Sequence, residues 1–417
     1  MKKILNIIAQ KPGETGSGIY LRSLVKEGDR KNYHQAIVAG ISAEDGKYSF
    51  HTNNNVNFYP VVFEREELPF PVVGMSDVMP YKSTRYRDLD IDMLKKWKKA
   101  FSDAISKAIY DFEPDIIICH HLWILTALVK EKYPDTRIIA FCHGTDLRQL
   151  EIFKTMDTKF PKEIIKYVTD HCKNIERVIV SQRDEKELVI KEYGIEEKNI
   201  RIAGTGFNPE IFYTGEDKEK EDRIKIIYAG KLSYSKGVPH LINAIKILKQ
   251  QYCNIELYLA GSGIGQEAKE ITEECKRNSE EVNIHILGAL PQKELGELFR
   301  QCDILVLPSL YEGLPLVLIE AMACGLKIVV TDLPGVKEWM GSTINNSGII
   351  EYIPLPRLKD VDSPLEEDIP TFENNLSKAI KKQIENKLTM NSTLKEAIGK
   401  KSWKSAFEDI ERLFTFK

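Results

Sequence analysis

Two carboxylates in one apolar stretch frame the chemistry. In YEGLPLVLIEAMACGLKIVVTD, residues 311–332, Glu312 stands in a Gly/Pro-rich turn and Glu320 in a helical pattern that is otherwise apolar all round. A lone buried charge is costly, so each carboxylate needs a partner: a protein group, or a ligand rich in hydroxyl donors. Pro315 suits the first position of the helix, which the pattern places over 315–324. If the eight positions from Glu312 to Glu320 were all helical, they would span about 12 Å. That is comparable to the separation of the two sugars in a nucleoside diphosphate sugar. Glu320 could then accept from a ribose diol while Glu312 addresses the other sugar. Helix N–H groups between them would point at the diphosphate. A lysine or backbone partner from within the protein is the competing reading.

Three other stretches carry reactive side chains. Lys231 and Lys236 lie five apart in KLSYSKG, between an apolar run and a helical pattern, where two cations beside a helix start can hold an anion. Gly13, Gly16 and Gly18 in GETGSG precede another helix, and glycines let backbone N–H groups approach a phosphate. Their spacing is not GxGxxG, so no dinucleotide fingerprint is present. His143 in HGTD follows an apolar run, with Asp146 placed to orient it or to cap a helix. His120 and His121 end the preceding run, and one of the three histidines is expected to face a crevice.

The elements that position these groups are legible as short, continuous apolar runs: 3–9, 34–40, 56–63, 115–120, 137–143 and 177–181. Continuous rather than alternating runs fit parallel strands covered on both faces. Helical patterns separate them, as in 91–112, where Leu94, Trp97, Phe101, Ile105 and Ile109 recur at spacings of three and four. The alternation restarts with runs at 225–231, 255–261, 282–288, 303–309 and 327–332. Two doubly wound α/β units follow, divided near 204–223, whose tail is a charge run. Residues 354–371, with four prolines and many charges, read as a surface loop, a spacer or a lid.

Composition narrows the class. A chain of 417 residues with 42% hydrophobic side chains can bury a core in each of two domains. The net charge of −3, from 59 basic and 62 acidic groups, lacks the basic excess of a nucleic-acid binder. The seven cysteines are scattered and never in CxxC spacing, which suits reduced core thiols in a reducing compartment. The apolar run in MKKILNIIAQ is too short for a signal-peptide core. No stretch reaches the roughly 18 apolar residues of a membrane span. A cytoplasmic protein is expected, with peripheral membrane contact left open.

Glu312-x7-Glu320 within EGLPLVLIEAMACGLKIVVTD resembles the signature of retaining glycosyltransferase family 4, of the GT-B fold. GETGSGIY is similar to that family's N-terminal glycine loop, HGTD to its His-Gly segment, GTGFNPEIF to the entry of its donor domain, and YAGKLSYSKG to its paired-cation block. LAGSGIGQE and ILGALPQKEL also match in order and spacing. The resemblance implies two Rossmann-like doubly wound domains facing a cleft, with a C-terminal helix crossing back to the N-terminal one. The acceptor domain would be 1–207 with the returning helix at about 401–417, and the nucleotide-sugar domain 208–400.

What the resemblance implies about function is a retaining transfer from a nucleoside diphosphate sugar, UDP-sugar by default, to an acceptor hydroxyl. No metal or other cofactor is implied. Lys236 would bind the donor diphosphate, and Lys231 stands where the family usually has Arg, without its bidentate fork. Glu312 would contact hydroxyls of the transferred sugar, Glu320 the nucleotide ribose, and His143 the reacting centre. Gly16 would approach the diphosphate, and Gly18, Gly230, Gly261 and Gly313 belong to the same donor-binding loops. Pro315 has no N–H, so Leu316 or Val317 must supply that contact. Pro334-Gly335 replaces a usual Gly pair, which weakens the case for a sugar contact there. The acceptor, whether saccharide, small molecule or lipid-linked, is left open. The rival readings are a nucleotide-sugar epimerase or hydrolase of the same fold, and a non-catalytic sugar-nucleotide-binding subunit.

Overall fold

The computed structural model describes residues 2–415 except 14, 47, 49, 51, 53, 78, 216–221, 264, 313 and 361. The chain divides into a first unit, Met1–Gly204 with Ala406–Lys417, and a second, Thr205–Ser405.

The first unit is built on strands β1 (Lys3–Ile8), β2 (His34–Ser42), β3 (Asn57–Phe63), β6 (Ile116–His120), β7 (Ile138–Phe141), β8 (Arg177–Val180) and β9 (Ile200–Ile202), with a small ribbon of β4 (Val73–Gly74) and β5 (Thr84–Arg85). The seven form one sheet in the order β3-β2-β1-β6-β7-β8-β9, every pair parallel. Ile, Val and Ala dominate its central strands because helices cover both faces. Helix Ile91–Phe112 shows the local logic. Asp90 caps it by accepting from Met93 N–H at 2.8 Å, and Leu94, Trp97, Phe101, Ile105 and Ala108 bury one stripe. The C-terminal segment packs in this unit. Tyr33 donates to Glu411 at 2.6 Å and meets the rings of Phe407 and Phe414 at centroid distances of 6.0 and 5.8 Å.

The second unit carries β10 (Ile224–Ala229), β11 (Ile255–Ala260), β12 (Ile284–Gly288), β13 (Ile304–Leu307), β14 (Lys327–Thr331) and β15 (Ile350–Ile353). They form a parallel sheet in the order β12-β11-β10-β13-β14-β15. In each unit the order reverses once, at β1/β6 and at β10/β13. The loops leaving those strands splay apart there, which opens a crevice at the carboxyl edge of the sheet.

Several expectations change in detail. The apolar helix is Leu316–Ala323, and Pro315 precedes it with φ −74° and ψ 95°. Glu312 therefore lies in the loop, and the 12 Å helical span does not apply. The segment 354–371 is pinned by its own contacts: Leu358 bridges Pro364, and Arg357 pairs with Glu367 and Asp368 at 2.6 and 2.7 Å. All seven cysteines are free, and only Cys253 is exposed. Among the described residues no helix is long and apolar enough to cross a membrane.

Candidate active site

In the second unit, the loops after β10, β11 and β12 and the helix Leu316–Ala323 line an open pocket of about 400 Å3. Its walls are apolar at Ala289, Leu290, Leu295 and Val317, its rim carries Lys231, and Glu320 is its one acidic group. Glu320 is 7% exposed, and no described residue hydrogen-bonds its carboxylate. Burial alone pushes its pKa up to about 7. The N–H groups of Leu316 and Val317 open the same helix without an acceptor among the described residues, as the first turn of any helix leaves them.

Lys236 and Glu312 meet at the same switch point, from the loops after β10 and β13. Lys236 Nζ lies 2.8 Å from Glu312 Oε1 and donates to the Tyr311 carbonyl at 2.9 Å. Ser309 Oγ also donates to Glu312 Oε1 at 2.9 Å. The sugar-facing carboxylate and the diphosphate-facing lysine expected from the sequence are thus paired with each other. An ammonium has three N–H donors, so one remains, and Glu312 Oε2 has no partner among the described residues. Lys231 is exposed. Gly313 lies outside the described residues.

In the first unit, the ends of β1, β6 and β7 bring together a polar cluster. His120 and His121 are buried, and His143 alone of the three keeps partial exposure. His143 Nε2 is 3.4 Å from His120 Nδ1, and its ring sits edge-on to His121 with centroids 4.9 Å apart. Burial first, then His121, pushes the His143 pKa down to about 3, so its ring is neutral near pH 7. Asp146 is not the N-cap, which is Gly144 at φ 78°. It lies inside helix Thr145–Thr155 and reaches back to accept from the His143 N–H at 2.7 Å. Burial pushes the Asp146 carboxyl up, but His121 and the His143 N–H outweigh it, and the net shift is downward.

The glycines separate by cause. A Cβ on Gly18 would meet Gly13 N at 2.3 Å, on Gly230 the Tyr228 hydroxyl at 2.8 Å, and on Gly261 the Gly230 carbonyl at 1.7 Å. Packing within the protein accounts for these three. A Cβ on Gly16 would meet nothing within 4 Å, and Gly16 is exposed at the start of helix Gly16–Arg30. Among the described glycines expected to bind the donor, Gly16 is the one whose Cβ position meets no protein atom within 4 Å.

Sequence reading missed Ser17, Ser309 and the apolar wall at Ala289 and Leu290. ILGALP, residues 286–291, runs from the end of β12 into the loop and carried the signal for the wall; Ser17 and Ser309 carried none.

Comparison with known proteins gives the family. The model for glycosyltransferase family 4 matches residues 16–211, and that for glycosyl transferases group 1 matches residues 212–352. An uncharacterized glycosyltransferase of Methanocaldococcus jannaschii is 30% identical over 182 residues, which is 40% of this chain and 45% of that protein. The matched stretches cover less than half of the first curated relatives, at 45%, 37% and 40% of their lengths. Among solved structures, a trehalose-6-phosphate protein from E. coli bound with UDP-2-fluoro glucose has a TM-score of 0.68 at 12% identity, covering all of both chains. Anabaena HepE in complex with UDP-glucose has a TM-score of 0.64 at 15% identity, covering 99% of each chain. Such distant likeness speaks to fold, and the fold is that of the two parallel sheets described above. With the two family models adjoining at residues 211 and 212, the chain belongs to glycosyltransferase family 4, with the GT-B fold.

Proposed function

We propose that the protein transfers a sugar from a nucleoside diphosphate sugar, UDP-sugar by default, to an acceptor hydroxyl, with retention at the anomeric carbon and without a bound metal. The observation that carries this reading is Glu320: a buried carboxylate with no described hydrogen-bond partner, in an apolar-walled pocket rimmed by Lys231. A ribose diol supplies the two O–H donors that such a group lacks, and the apolar wall suits a base. The uridine nucleotides bound in the two similar structures support UDP as the carrier.

The diphosphate then meets Lys231, the remaining donor of Lys236 and the N–H groups of Leu316 and Val317. As the bond from the anomeric carbon to the phosphate oxygen breaks, negative charge grows on that oxygen. These fixed donors stabilise the charge, and this is the largest catalytic contribution. Two lysines supply the positive charge that a metal would otherwise bring. Glu312 addresses the transferred sugar through Oε2. The acceptor oxygen bonds to the anomeric carbon on the face the phosphate leaves, and its proton passes to the departing phosphate oxygen. His143, in the first unit, addresses the acceptor. The six buried free thiols support a reducing, cytoplasmic setting.

The test is a thermal-shift screen of UDP-, GDP- and ADP-sugars, followed by NMR of the product formed from the best donor with EDTA present. The expected result is acceptor-dependent product with the donor's anomeric configuration. An inverted product overturns retention. Loss of turnover in EDTA overturns metal independence. Donor breakdown at the same rate without acceptor makes the protein a hydrolase or epimerase.

A further inference from the structure

Asp146, His121 and Ser17 follow one another within the first unit, contributed by the first turn of the helix after β7, the loop after β6 and the first turn of the helix after β1. Asp146 is fully buried, and one of its oxygens, Oδ2, is held by the His143 N–H. The other, Oδ1, is buried without a formed hydrogen bond and faces His121 Nδ1 at 3.4 Å. On the far side of the ring, His121 Nε2 is 3.0 Å from Ser17 Oγ. Ser17 Oγ accepts from Gln10 Nε2 at 2.5 Å. The ring is held in place by the backbone: His121 adopts φ 76°, strained for a residue with a Cβ, and its carbonyl accepts from Thr126 Oγ1 at 2.5 Å.

These contacts fix a direction. A bare Nδ1 lone pair against a buried carboxylate oxygen would be repulsive, so Nδ1 carries the proton toward Asp146. Nε2 is then the acceptor, and the Ser17 hydroxyl donates to it. With Gln10 donating into Ser17 Oγ, the hydroxyl has two acceptors in reach, His121 Nε2 at 3.0 Å and Thr15 Oγ1 at 3.2 Å, and the shorter contact is to His121. The order is carboxylate, imidazole, hydroxyl, the arrangement by which a carboxylate selects a histidine tautomer. Thr145 Oγ1, 3.3 Å from Nδ1, offers the competing pattern, in which Thr145 donates and Nε2–H points at Ser17.

We infer that His121 is a positioning residue, selected in its Nδ1–H tautomer by Asp146 so that it fixes Ser17 and, through Ser17, the neighbouring backbone of Gly16. The same carboxylate holds the backbone of His143, so one buried group sets two loops. The inference rests on the proposed role of His143 in transfer and on the approach of the Gly16 backbone to the diphosphate that the family resemblance implies. It adds an indirect role for three residues that need touch neither donor nor acceptor.

The experiment pairs a structural readout with a kinetic one. Selective 15N-histidine labelling of the full chain, with His121→Gln for assignment, reports the tautomer at pH 7. A protonated Nδ1 and a bare Nε2 are expected. An Nε2–H tautomer or a doubly protonated ring overturns the inference. In steady-state assays with the best donor, Ser17→Ala and His121→Gln are each expected to lower kcat roughly 10- to 100-fold, as a small misplacement does. The donor KM should move less than threefold, and the double variant should be no worse than the poorer single one. Wild-type kcat in Ser17→Ala also overturns it. If no donor is turned over by the wild type, the transferase reading fails while the tautomer still answers the question about His121.

Discussion

Glu320→Gln separates the cost of the buried carboxylate from its use. Burial raises its pKa from 4.5 to about 7. The folded chain therefore binds this proton more tightly than the unfolded chain does. The stabilisation from the protonated form is whole below pH 4.5 and is lost as pH rises through about 7. A shift of this size is worth about 3 kcal/mol between the two ends of that window. The amide keeps the shape and carries no charge at any pH. Without ligand, the variant should thus gain on the wild type by roughly 2–3 kcal/mol on going from pH 5 to pH 8. For a unit of about 200 residues that is roughly 5–10 °C in Tm. Nucleotide binding should move the other way. Replacing a charged acceptor of ribose hydroxyls should weaken UDP about 10- to 100-fold at pH 8. Wild-type binding at pH 6.5 should release a fraction of a proton, because hydroxyl donors favour the charged carboxylate. Melting curves at the two pH values and calorimetry in buffers of different ionisation heat read all three. A Tm difference that does not change with pH, together with unchanged UDP affinity, would refute both the partnerless burial and the ribose contact.

Three further outcomes test the charge and the backbone. Lys236→Ala should lower turnover on the order of 100-fold or more, as loss of a preorganised donor does; an unchanged kcat removes Lys236 from the site. Gly261→Ala should destabilise by roughly 2 kcal/mol or more, since its Cβ would stand 1.7 Å from the Gly230 carbonyl. Gly16→Ala meets no protein atom within 4 Å and should leave the urea midpoint unmoved while turnover falls at least tenfold; a variant that turns over normally shows that nothing comes close to that backbone.

How much was readable in advance depended on distance along the chain. The runs at 34–40, 115–120, 177–181 and 255–261 became strands with ends within a residue or two, because a strand buried on both faces must be apolar at every position. Ile200–Ile202 and Ile350–Ile353 escaped notice. They are short edge strands, and the charged Arg201 and Glu351 break the apolar run. The pocket groups Lys231, Val317 and Glu320 were legible because each belongs to a loop or helix start next to a recognisable strand, and parallel topology sends all such loops to one edge.

The sequence by itself determined two α/β units, which loops gather at the carboxyl edges, and that an apolar helix must bury Glu320. Hydrophobic period and strand-loop-helix order are local properties, and they suffice for that. Tertiary structure alone decided that Lys236 holds Glu312 across 76 positions, with Ser309 beside them. It alone brought Asp146, His121 and Ser17 together from two helix starts and a loop, and separated Gly16 from the glycines that packing requires. Hydrogen bonds and close approaches depend on tenths of an ångström between loops distant in sequence, and no spacing rule along the chain records them.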